Sequence, residues 1–160
     1  MKTNAFFALL FLTFFSVFGQ QKITVEDIYR GAFRTKGMDE LQAMKNANQY
    51  TVLNSDKVYK TMQIDLYDFA TLKKVSTLLD TKNFKELDEI DSYAFSGNEK
   101  MLLIANHSNK IFRHSFLADY FLFNLETKQL TKLLDYKIQE PTFSPDGSRI
   151  AFAKENNLYV

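Results

Sequence analysis

Pro141-Thr142-Phe143-Ser144-Pro145-Asp146-Gly147 repeats an earlier stretch, Tyr93-Ala94-Phe95-Ser96-Gly97-Asn98, with Phe143 falling on Phe95. A second pair accompanies it. Leu66-Tyr67-Asp68-Phe69-Ala70-Thr71, leading to Leu78-Leu79-Asp80, returns as Leu122-Phe123-Asn124-Leu125-Glu126-Thr127, leading to Leu133-Leu134-Asp135. A spacing of roughly fifty residues, with about four short strands in each unit, is the signature of propeller blades. An antiparallel sandwich is the competing architecture, because its strands also come at short regular intervals.

Working outward from these repeats, apolar alternation between polar turns places strands near 50–53, 60–66, 92–95, 101–106, 118–124, 129–134, 140–143, 149–154 and 158–160. In Ser144-Pro145-Asp146-Gly147 the fixed φ of proline suits the first corner of a turn, and Gly147 suits a positive φ. Asp146 is therefore expected to bond its own turn backbone and to serve neither as a metal ligand nor as a general base. Phe143 and Phe152 are expected as paired core residues on either side of that turn. The charge run from Lys82 to Asp91 reads as a solvated connector between blades.

The fold class is therefore all-β, a partial propeller of about two to three four-stranded blades, preceded by a leader and a short helical lead-in. Sixteen Phe and eight Tyr, with no Trp and five Gly, favour half-buried pleated surfaces. Lys2 followed by an apolar run from Ala5 to Phe18 has the grammar of a signal peptide. The run is shorter than the roughly 20 apolar residues a spanning helix needs, so cleavage is expected before Gln20, with an uncleaved anchor as the alternative. The expected organisation is a signal peptide over 1–19, a lead-in over 20–48 and propeller over 49–160. A periplasmic or secreted location follows. Export permits disulfides, yet the chain has no cysteine and relies on packing alone. In the lead-in, Thr24 to Tyr29 reads as the start of a short helix with Thr24 as its N-cap, its length limited by Gly31 and Gly37. Residues 38–46 are read either as a second helical turn or as a strand around Leu41 to Met44.

The search for chemistry is mostly negative. With a formal charge of +1 and interleaved signs, the chain lacks the basic stripe of a nucleic-acid binder. No G-x-S-x-G elbow and no phosphate-cradling glycine loop is present. His107 and His114 lack the spacing of a zinc site, and no cofactor is called for. His114 and Ser115 are strand neighbours that point to opposite faces, and so do not form a dyad.

One stretch stands apart: Lys110-Ile111-Phe112-Arg113-His114-Ser115-Phe116 interrupts the apolar alternation with basic residues. It is followed by Ala118-Asp119-Tyr120-Phe121-Leu122-Phe123-Asn124-Leu125 and, later, by the Phe143-Ser144-Pro145-Asp146-Gly147 turn and Asn156-Asn157-Leu158-Tyr159-Val160. Together these pieces resemble the N-terminal propeller of the dipeptidyl peptidase IV family, within the prolyl oligopeptidase superfamily of serine peptidases. The resemblance runs from about Ile23 onward and is strongest from Ser92 to Val160. The Phe-Ser-Pro-Asp-Gly turn is common to many secreted propellers, and the Arg-His-Ser piece is the specific part.

The resemblance implies an exopeptidase that releases N-terminal dipeptides, typically with proline or alanine second, from peptides with a free N-terminus. In it the propeller caps an α/β-hydrolase domain that carries the catalytic triad, and a homodimer is a further expectation. Arg113 matches the arginine that holds the carbonyl of the substrate's second residue, and His114 is read as an orienting neighbour. The family's glutamate clamp and its triad are expected beyond Val160, so no catalytic residue is expected in this chain. A solvated loop arginine is the alternative reading of Arg113. The rival function is a non-enzymatic, TolB-like periplasmic propeller that binds proteins. An arc of blades without its ring exposes faces and edges, so the 160-residue chain alone is expected to be marginal or insoluble and without peptidase activity.

Overall fold

The computed structural model describes residues 23–34, 41–45, 48–56 and 58–160. The leader expected over 1–19 lies outside these residues. The chain divides into two compact units, residues 1–37 and 38–160.

In the first unit, α1 (Val25–Tyr29) carries a reciprocal cap. The Asp27 backbone N–H donates to the Thr24 hydroxyl at 3.1 Å, and the Thr24 N–H donates to the Asp27 carboxylate at 3.2 Å, so two otherwise orphaned donors are satisfied. Gly31, at φ +72°, turns the chain beyond the helix end. No residue of α1 is buried.

The second unit consists of three antiparallel sheets met one after another along the chain. The first runs β1 (Leu41–Ala43), β2 (Gln49–Asp56), β3 (Thr61–Asp68), β4 (Lys74–Asp80) in spatial as well as sequence order. The second repeats the plan with β5 (Ser92–Phe95), β6 (Met101–Phe112), β7 (Ser115–Asn124) and β8 (Leu130–Lys132). The third contains β9 (Gln139–Phe143), β10 (Ile150–Lys154) and β11 (Asn157–Tyr159). Successive four-stranded meanders that each start again beside the last are blades, and this unit is an arc of β-propeller.

The repeats seen in the sequence are repeats of turn geometry. Between β3 and β4 the Asp68 carboxylate accepts the Thr71 N–H at 2.8 Å, and between β7 and β8 the Asn124 side-chain oxygen accepts the Thr127 N–H at 2.9 Å. Each turn closes one residue later, at Leu72 and Lys128, both with positive φ. The other pair matches as closely. Ser96 and Ser144 each accept a backbone N–H five residues on, from Met101 and Arg149, at 3.0 Å in both cases. Asp146 bonds within its own turn, accepting the Ser148 N–H at 3.1 Å, and Gly147 takes φ +73°.

The main core lies between the first two sheets: Ile64 and Leu79 pack with Leu87, Ile90, Tyr93, Leu102, Ile104, Phe121 and Phe123, all buried. The connector between these sheets contributes directly. Its apolar residues Phe84, Leu87 and Ile90 fall every third position and turn inward, while Lys85, Glu86, Asp88 and Glu89 stay exposed. The charge run is thus solvated on one side only, and its apolar third pins blade to blade. Inner strands also meet: Gln42 donates to the Tyr93 carbonyl at 2.7 Å, and the Thr51 and Tyr93 hydroxyls lie 2.8 Å apart.

Several local expectations needed revision. Residues 41–43 form a strand, the second of the two readings of that segment. β4 was not expected: its first four residues are exposed and only Val75 among them is apolar, so alternation is faint on this outermost strand. Phe143 pairs across the sheet with Ile150, not Phe152, because the turn closed by the Ser144 N–H donating to the Arg149 carbonyl at 2.9 Å sets the register there. β6 and β7 run well beyond the expected 101–106 and 118–124, and this excess builds the candidate site.

Candidate functional site

From Met101↔Asn124 to Asn106↔Asp119, β6 and β7 pair in regular register inside the blade. Pairing then resumes as Asn109↔Leu117, Lys110↔Phe116 and Phe112↔Ser115, so His107 and Ser108 stand opposite Ala118 alone. Two residues against one is a β-bulge, which bends the strand and increases its twist. His107 sits there at φ +51°, a conformation disfavoured for a residue with a Cβ. Acidic side chains from the connector hold it. Asp91 accepts the Ser108 N–H at 2.7 Å, and Asp88 meets His107 Nε2 at 3.0 Å and accepts from the Asn106 amide at 3.2 Å. Burial pushes the Asp88 carboxyl up, but the hydrogen bonds from Asn106 and His107 outweigh this and hold it below the usual carboxylate range.

Beyond the bulge the two strands form an arm that closes through a two-residue turn, Arg113-His114. Both turn residues are exposed. Around them Ile111, Phe112 and Phe116 are exposed too, Phe112 to 74%. Among the described residues none makes a hydrogen bond or ion pair with the side chain of Arg113 or His114. The guanidinium therefore has its whole fork of donors free for an acceptor.

The foot of the arm is gripped from the third sheet. On the edge of β7 away from β6, Ala118 pairs with Ile138 through two backbone hydrogen bonds of 3.1 Å. Ala118 is 0% exposed and Ile138 1%. On either side of this bridge, the Lys137 ammonium donates to the His107 carbonyl and the Gln139 amide donates to the Ser115 hydroxyl at 3.3 Å. Three consecutive residues thus touch both strands of the arm. A cleft of about 510 Å³, lined among others by Leu117, Tyr136, Lys137 and Gln139, opens beside it.

Residues 96–160 match the family model described as the dipeptidyl peptidase IV N-terminal region. That stretch contains β6, β7, the arm and the whole third sheet. Over that stretch the chain is similar to the dipeptidyl peptidase IV N-terminal region. Dipeptidyl peptidase 4 of Felis catus is 29% identical over 112 residues, 68% of this chain and 15% of that protein. Prolyl endopeptidase FAP of Homo sapiens is 24% identical over 140 residues, 86% of this chain and 17% of the relative. Among solved structures, Porphyromonas gingivalis dipeptidyl peptidase 4 superposes with a TM-score of 0.71 at 27% identity, covering 88% of this chain and 20% of that one. The chain thus spans a fifth or less of the length of these relatives.

In this propeller region the structure places Arg113 and His114 side by side at the arm tip. It brings neither into contact with the other residues singled out from sequence. His107, set aside as a metal ligand, pairs with Asp88. Sequence reasoning missed Lys137 and Gln139, because a lysine before a strand and a glutamine at its first position carry no periodic or motif signal.

Proposed function

We propose that this chain is the N-terminal propeller portion of an exported serine dipeptidyl peptidase, which releases dipeptides with proline or alanine second from peptides with a free N-terminus. Arg113 is the substrate-contacting group: its guanidinium donates to the carbonyl oxygen of the substrate's second residue and orients the dipeptide toward a hydrolase domain of the same protein. A guanidinium stays charged throughout, so it holds an acceptor without joining the proton transfers of acyl chemistry. The assembly would be a homodimer facing the periplasm or the outside. The observation that carries this reading is an unpaired, exposed arginine at the tip of an arm whose foot is bridged by fully buried residues.

The test is Arg113→Ala in the full-length protein. Loss of a charge-assisted hydrogen bond corresponds to roughly a ten- to hundredfold fall in kcat/KM on a dipeptidyl substrate. Arg113→Lys should recover only part of it, since an ammonium keeps the charge and loses the fork. Unchanged kinetics in Arg113→Ala would remove Arg113 from the site. A full-length protein without peptidase activity that captures a protein partner would favour the binding-propeller reading.

A further inference from the structure

We propose that Gln139 is a positioning residue for the Arg113 turn, holding it through Ser115; this rests on the substrate-contacting role of Arg113 given above. The arm is a two-stranded ribbon projecting from a blade, and such a ribbon has little stability of its own. Its tip carries no hydrogen bond or ion pair on the Arg113 or His114 side chain among the described residues, so the direction of Arg113 is set from below. On the edge of β7 away from β6, Ala118 bonds Ile138 and so anchors the foot of the arm. One residue further on, the half-buried Gln139 donates to Ser115 Oγ at 3.3 Å. Ser115 pairs with Phe112 across the turn, so this hydroxyl is two residues from Arg113 along the chain and belongs to the last rung of the arm. Gln139 is itself fixed, since it pairs with Ala153 in β10. The contact therefore ties the tip of the second blade's arm to the inner strand of the third sheet.

A side chain acting this way changes substrate positioning with little effect on folding, because neither the Gln139 nor the Ser115 backbone pairing depends on it. The experiment is steady-state kinetics of the full-length protein on a chromogenic dipeptide with proline second. Losing one neutral hydrogen bond that orients a substrate contact should lower kcat/KM by roughly three- to tenfold in Gln139→Ala. Ser115→Ala should lose as much, and the double variant no more than either. Gln139→Glu, which accepts a hydrogen bond from the same hydroxyl, should restore activity. In an Arg113→Ala background Gln139→Ala should cost nothing further, and melting should match the parent throughout. Two results overturn the proposal alone: no loss in Gln139→Ala while Arg113→Ala is impaired, or an equal loss with and without Arg113. Unchanged kinetics in Arg113→Ala itself overturns both this proposal and the substrate role beneath it.

Discussion

Gly97 shows at single-residue scale how the blades are joined. A Cβ built on it would lie 2.3 Å from the Pro145 carbonyl oxygen, closer than any carbon can approach a backbone atom without displacing it. The two turns related by the sequence repeat thus press on one another in space: Gly97 lies against Pro145, and Gly147 lies near Ser96. Gly97→Ala forces the second and third sheets apart at this point, and overpacking of this kind typically costs about 1–3 kcal/mol. A lowered melting temperature of the purified protein is the expected result, and an unchanged one would mean the turns do not touch.

Among the elements, β3 carries the most heavily bonded buried charge of the first blade. Asp65 is 3% exposed and receives Lys74 at 2.7 Å, the Thr77 hydroxyl at 2.7 Å and the Asn54 amide at 2.9 Å, from β4 on one side and β2 on the other. Burial pushes its carboxyl up, and the bonds from Lys74, Thr77 and Asn54 together outweigh it, leaving the pKa below the ordinary value. A depressed carboxylate stabilises the fold above its unfolded pKa, near 4. That contribution is lost as pH falls from there through the lower folded value. Asp65→Ala leaves Asn54 and Thr77 without their acceptor and should destabilise the blade by about 2 kcal/mol at neutral pH. Its stability should also fall less steeply than the parent's below pH ~4, as followed by chemical denaturation across that range.

For the propeller unit as a whole, the arc leaves much apolar surface uncovered. A cavity of about 300 Å³ between the second and third sheets is lined by Met101, Leu122, Leu133, Phe143 and Phe152, and every residue of β11 is exposed along the sheet edge. Large exposed apolar areas and unpaired strand edges drive association. The 160-residue chain by itself should self-associate, with a sedimentation coefficient that rises with concentration. A monodisperse, cooperatively melting monomer would show that these faces tolerate water.

The propeller plan was legible because blades repeat, and repeated turns repeat their local chemistry: Asp68 and Asn124, Ser96 and Ser144 each bond their own backbone within a few residues. Strand alternation and the Thr24 cap are equally local. Arg113 was legible as an unusual residue, and its suggested role came from family resemblance, since no pattern of spacing makes a turn arginine a substrate contact. By itself, then, the sequence determined the blades, their turns and the place where the chain leaves the blade pattern. Only the tertiary structure decided where that departure points. The bulge at His107, the Ala118–Ile138 bridge, the Gln139–Ser115 contact and the Gly97–Pro145 approach each join residues well separated along the chain. Such pairings are set by which polar groups and surfaces remain once the strands have paired, and no local period or propensity encodes them.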